Sequence, residues 1–265
     1  MADDRPEWRI DLASARVLLV NDDGVSAPGM TLLEDAVRPL CREVWVVAPE
    51  KEESGTGHAF SLHQPVRLRE AGARRFAVDG LPTDAAILAL GVVMADAPPD
   101  IVISGVNRGA NMGDDVSYSG TVGAAMEAAL SGFPAIAISQ DRPPKGEPEW
   151  RTSAQEIGPT LAWLLAQSWP AGVLLNVNFP NCAPDAVQGR RVTRLARRKP
   201  GGEIVAGIDP AGKPYHWIGS KRIVTDIQAD SDVQACNDGF VSMTPLTFDM
   251  TDHVALTRAR KVLGA

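Results

Sequence analysis

The first 180 residues alternate short apolar runs with segments whose apolar residues recur at helical spacing, and this alternation limits the fold more than any other feature. Runs at 16–20, 43–48, 101–104, 134–139 and 173–177 read as buried strands. Between them, 29–40, 83–94, 121–130 and 153–167 read as helices. Strands alternating with helices predict βαβ units and a mostly parallel, doubly wound sheet in a Rossmann-like three-layer αβα sandwich. Segments 65–70 and 75–78 read as a smaller strand pair inserted after the second core strand.

The pattern changes after about Pro180. Residues 181–265 are expected to form an extended arm or hairpin region and terminal helix, integrated with the core and with its apolar face completed by a partner, because 181–238 is rich in Gly, Pro, Asp, Lys and Arg and poor in apolar periodicity. A last strand at 239–244 and a helix at 252–263 close the chain. Residues 16–180 form the expected catalytic core. Residues 1–15 are charged, carry no apolar leader, and are expected to be a flexible extension of no assigned role.

The formal net charge of −7 argues against a general nucleic-acid surface, so an anionic substrate needs local positive potential. Cys41, Cys182 and Cys236 are odd in number and lack CxxC spacing, as reduced thiols in a cytoplasmic protein do. No run of apolar residues is long enough for a membrane span. The four histidines lack HxxxH spacing, and no GxSxG elbow occurs.

In open α/β sheets ligands bind beyond the carboxyl ends of the strands. The run 17–20 stops there at Asn21-Asp22-Asp23-Gly24. Two hard oxygen donors favour Mg²⁺, Mn²⁺ or Ca²⁺, and Gly24 lets both face one ion. The same residues also read as an Asp-Gly turn, and the stretch alone does not choose. Asn107, three residues past the expected third strand, is a neutral oxygen donor or an Asx-turn asparagine. Ser54 lies in the loop after the second strand. Ser119-Gly120-Thr121 opens a helix with free N–H groups and hydroxyls, as a phosphate cradle or as a plain N-cap. Six of the ten residues 190–199 are Arg or Lys, a solvated surface or a polyanion patch. Two acids, a serine and an asparagine beyond three parallel strands converge on one edge, which independent turns do not explain.

These segments resemble the SurE (survival protein E) family of metal-dependent nucleotidases. The likeness is carried by Leu19-Val20-Asn21-Asp22-Asp23-Gly24-Val25, Ser54-Gly55, Pro82-Thr83-Asp84, Ser104-Gly105-Val106-Asn107-Arg108-Gly109-Ala110-Asn111, Tyr118-Ser119-Gly120-Thr121-Val122 and Asn176-Val177-Asn178-Phe179-Pro180. It runs from about residue 17 to the C-terminus. The resemblance implies Asp22, Asp23, Ser54 and Asn107 as ligands of one Mg²⁺ or Mn²⁺ per subunit, with Ca²⁺ also accommodated. It implies Asp22, Asp23 and Asn107 as catalytic residues, and Asn111, Ser119, Gly120 and Thr121 as phosphate-binding. The implied activity is hydrolysis of nucleoside 5′- or 3′-monophosphates, and of short polyphosphate, in a homodimer or homotetramer joined through the arm. Neither a stable nucleic-acid complex nor a membrane partner is expected. A covalent aspartyl-phosphate at Asp22 and a non-catalytic nucleotide-binding protein are the alternatives. The chain departs from the family's usual pattern in residues 1–15, in the loop 54–63, at Ser231-Asp232 and in the longer stretch 219–230.

Overall fold

The computed structural model describes residues 5–219 and 221–263. Its strands, in chain order, are β1 (Glu7–Trp8), β2 (Arg16–Val20), β3 (Glu43–Pro49), β4 (Leu68–Gly72), β5 (Arg75–Val78), β6 (Ile101–Arg108), β7 (Ala135–Gln140), β8 (Trp169–Pro170) and β9 (Leu174–Phe179). The later strands are β10 (Arg190–Val192), β11 (Arg197–Lys199), β12 (Glu203–Ile208), β13 (Pro214–Gly219), β14 (Ile223–Asp226) and β15 (Val241–Leu246). The helices are α1 (Pro28–Val37), α2 (Pro82–Leu88), α3 (Gly120–Leu130), α4 (Trp150–Leu165), α5 (Asp232–Asn237) and α6 (His253–Leu263).

Nine strands form one sheet in the order β10-β15-β9-β7-β6-β2-β3-β5-β4. From β9 to β5 every pairing is parallel, whereas β4 and β15 run antiparallel to their neighbours on the inner side. Successive side chains of a strand face opposite sides, and β2 shows the result. Val17 and Leu19 join Met30 and Leu33 of α1 and Ile157 and Leu161 of α4. Leu18 and Val20 join Ala85 and Ala86 of α2 and Ala124 and Ala128 of α3. Two apolar layers thus enclose a sheet that is buried on both faces, and the fold is α/β.

The expected strand pair at 65–70 and 75–78 is present as β4 and β5, and β5 pairs in parallel with β3, so the pair extends the main sheet. Three expectations need correction. The third core strand runs on to Arg108, so Asn107 lies on its end; a register shift between Ser104 and Asn107 breaks the apolar pattern there. Part of the supposedly flexible extension is tied down, since Glu7–Trp8 pairs with Trp169–Pro170 and Trp8, Ile10 and Leu12 pack on the core. The short helix α5 was not expected. The first four residues of the extension and the last two of the C-terminal region lie outside the described residues.

After Pro180 the chain divides between the main sheet and two hairpin-like ribbons. Strand β10 joins the main sheet beside β15. The pairs β11–β14 and β12–β13 are separate two-stranded ribbons. Asp232 clasps this region to the core: its carboxylate accepts from the N–H groups of Gly113 at 2.7 Å, Ala196 at 2.9 Å and Val233 at 2.8 Å. Burial raises its pKa while these donors oppose the rise, so three buried N–H groups would be orphaned by its loss.

Candidate active site

The turn after β2 is built by Asn21. Its Nδ2 donates to the Gly24 carbonyl at 2.9 Å and its Oδ1 accepts from the Gly24 N–H at 3.2 Å. Gly24 has φ +105°, and a Cβ there would lie 3.3 Å from the Lys51 carbonyl carbon. Only glycine meets both conditions. The two aspartates are then held by different neighbours. Asp22 is 3 % exposed and its Oδ1 accepts from the Thr121 hydroxyl. Its carbonyl accepts from Glu53 N at 2.8 Å, which brings the Ser54 loop alongside. Asp23 Oδ2 accepts from Arg108 N at 3.0 Å, at the end of β6.

Helix α3 begins against Asp22. Ser119 caps it, its Oγ accepting from Val122 N at 3.1 Å. A Cβ on Gly120 would stand 2.8 Å from Asp22 Cβ and 3.0 Å from Pro82 Cγ. The positive end of the helix dipole therefore sits directly on the carboxylate. Asn107 Nδ2 donates to the Gly109 carbonyl at 2.6 Å, leaving its amide oxygen for another partner. Ser54 is exposed and donates to Glu52 Oε1 at 3.0 Å.

A cavity of about 170 Å³ is lined by Asp22, Ser54, Asn107, Asn111 and Ser119, with Asp115, Tyr118, Pro200 and Arg222 completing its wall. Five of the eight expected site residues thus share one cavity. Asp23, Gly120 and Thr121 lie beside it instead. Thr121 is fully buried, so its hydroxyl, expected on phosphate, serves Asp22. Asn111 is fixed from behind: its N–H donates to Asn178 Oδ1 at 2.8 Å, and its carbonyl accepts from Asn176 Nδ2 at 2.9 Å. The roles of Asn176 and Asn178 could not be read locally, although two amides inside an apolar strand were the available signal. Nothing in the sequence marked Arg222.

Burial, and next the neighbouring Asp23, push the pKa of Asp22 up to about 7; the Thr121 hydroxyl opposes the rise. Burial raises Asp23 too, against the Arg108 N–H. Among the described residues no cationic side chain forms an ion pair with either. A buried carboxylate next to a half-buried one, both raised, is an environment that a divalent cation relieves. No group of three or more His, Cys, Asp or Glu suited to a metal occurs among the described residues. Asp22, Asp23, Ser54 and Asn107 would together offer two carboxylates and two neutral oxygens, a set that fits a hard cation.

Residues 17–201 match the profile of the family described as survival protein SurE. The chain belongs to the SurE family. It is 46 % identical over 241 residues to the 5′-nucleotidase SurE of Paramagnetospirillum magneticum, covering 91 % of this chain and 93 % of that protein. It is 46 % identical over 250 residues to 5′-nucleotidase SurE 1 of Burkholderia lata, covering 94 % and 96 %. The crystal structure of the SurE protein from Aquifex aeolicus superposes with a TM-score of 0.81 at 34 % identity, over 93 % of this chain and 99 % of that one. The SurE resemblance seen in the motifs therefore holds across sequence and fold.

Proposed function

We propose that this SurE chain is a divalent-metal-dependent nucleotidase that hydrolyses nucleoside 5′-monophosphates, with 3′-monophosphates and short polyphosphate as further substrates. The enzyme class is the one its relatives carry by name. The observation that supports the metal-dependent reading is the adjacent pair Asp22, buried, and Asp23, half-buried, neither in an ion pair among the described residues, with Asp22 lining a cavity beside Ser54 and Asn107. Asp22, Asp23, Ser54 and Asn107 would hold one Mg²⁺ or Mn²⁺. Such an ion supplies Lewis-acid polarisation of a phosphoryl oxygen and acidifies a water. Ser119 lines the cavity while its hydroxyl caps α3, whose N-terminus would supply positive potential where phosphoryl charge grows. Asn111 adds a polar wall held rigid by Asn176 and Asn178. Thr121 orients Asp22 and keeps one of its oxygens committed.

A phosphate-release panel of nucleoside 5′- and 3′-monophosphates and polyphosphate, with Mg²⁺, Mn²⁺ and EDTA, tests this reading. EDTA is expected to reduce release to background and added metal to restore it. Full activity in EDTA would remove the metal from the mechanism.

The assembly belongs to the same proposal. The β12–β13 ribbon exposes Ile204, Val205, Ile208, Trp217 and Ile218, and α6 exposes Val254, Val262 and Leu263. Apolar surface on this scale is what a subunit contact covers, so a homodimer or homotetramer is expected by light scattering; a monomer at micromolar concentration would refute it. No described helix is long and apolar enough to cross a membrane. The free cysteines support a cytoplasmic location, which fractionation checks.

A further inference from the structure

A second and larger cavity, of about 460 Å³, adjoins the candidate phosphate site. Five cationic side chains line it, Arg108, Arg142, Arg198, Lys221 and Arg222, against one carboxylate, Asp141. Glu147 pairs with Arg108 and Asp115 pairs with both Arg198 and Arg222, whereas Arg142 and Lys221 have no carboxylate within ion-pair distance among the described residues. The basic run 190–199 contributes little: Arg190 pairs with Glu156 and Arg191 with Asp238, and only Arg198 reaches the cavity. The positive field of this acidic chain is thus gathered from four separate segments.

The two cavities are neighbours. Arg222 lines both. Asn107 of the first is followed by Arg108 and Gly109 of the second, and two residues of chain span at most about 7 Å. Arg142 lies across this strip: its Nε is 3.4 Å from where a Gly109 Cβ would stand. A group bound among these cations is therefore within one nucleoside's reach of a phosphoryl group beside Asn107. A nucleoside monophosphate has nothing to place there that the two unpaired cations, Arg142 and Lys221, would select. A second phosphate does, through charge-assisted contacts to guanidinium and ammonium groups.

We propose that the basic cavity is a subsite for a second phosphate on the same substrate, and that nucleoside bisphosphates bind in preference to monophosphates. The inference rests on the nucleotidase reading for its first phosphate. Arg142 and Lys221 supply the cations that hold no ion pair among the described residues, and Arg222, held by Asp115 between the cavities, lies beside both phosphates.

Equilibrium binding of adenosine 3′,5′-bisphosphate and of adenosine 5′-monophosphate, measured in EDTA to prevent turnover, tests it on wild type and on the Arg142→Ala/Lys221→Ala double variant. Wild type is expected to bind the bisphosphate about tenfold or more tightly than the monophosphate. The ratio is expected to fall to about one in the double variant, and to shrink in wild type as salt is raised. A thermal melt confirms that the variant is folded. Equal binding of the two ligands by wild type, or an advantage that survives in the folded double variant, overturns the proposal. Turnover of the monophosphate with Mn²⁺ reports separately on the nucleotidase reading. Its absence alongside a tenfold bisphosphate advantage would strike that reading and leave the subsite standing.

Discussion

Asp22→Asn is expected to lower kcat roughly a thousandfold while raising the melting temperature of the metal-free protein at pH 8. The two effects share a cause. Asp22 has a folded-state pKa of about 7, against an ordinary carboxylate value of 3.8. Because the folded value is the higher one, the native state binds the proton more tightly than the unfolded chain. The associated stability is fully present below about pH 4 and is lost as pH rises through 7. At pH 8 the metal-free fold carries the whole cost of a buried charge, on the order of 4 kcal/mol for a shift of about three pKa units. Asparagine removes that charge and keeps an oxygen for the Thr121 hydroxyl. In EDTA at pH 8 the variant should therefore melt higher by roughly 5–10 °C, and the gap should narrow at pH 5. Added Mn²⁺ should raise wild type and leave the variant where it was. A variant that melts below wild type in EDTA at pH 8, or that retains full turnover, contradicts this account.

Gly120→Ala should cost about a hundredfold in kcat/KM, although it adds one methyl group and alanine is the better helix former. The new Cβ would stand 2.8 Å from Asp22 Cβ, 3.0 Å from Asp22 Oδ2 and 3.0 Å from Pro82 Cγ. No real Cβ tolerates such contacts, so α3 or the Asp22 turn must move. Either movement separates the helix N-terminus from the carboxylate and breaks the Thr121 hydrogen bond. Steady-state kinetics with a melting curve checks this: activity is expected to fall with little change in cooperativity. An alanine variant with wild-type kinetics would show that this close approach is not needed.

The sheet was legible because strands buried on both faces are continuous apolar runs; Val17–Val20 needs no partner to be recognised. The turn at Gly24 was legible for a local reason as well, since an Asp-Gly pair after a strand leaves few conformations. Asn107 was placed correctly at the sheet edge yet outside its strand, because Gly105 and the register shift interrupt the apolar pattern that defines β6. Thr121 shows the limit more sharply. A hydroxyl at a helix start points to phosphate in the sequence, but in the fold it meets Asp22, ninety-nine residues away. The same holds for Asn176 and Asn178, whose amides matter only because the loop after β6 crosses them. The basic cavity was invisible for a third reason: Arg142 and Lys221 come from segments with no charge pattern of their own.

The loop that carries Ser54 is fastened at several points. Glu53 N–H donates to the Asp22 carbonyl, Gly57 N–H donates to the Tyr118 carbonyl, and Ser61 is held by Asp84. His58 adds a 2.9 Å contact to Glu127, and Gly123 leaves room for the Gly57 carbonyl against α3. A segment tethered so closely has little wandering left to surrender when its serine engages a ligand. Capture at the proposed site would therefore draw on very little ordering entropy.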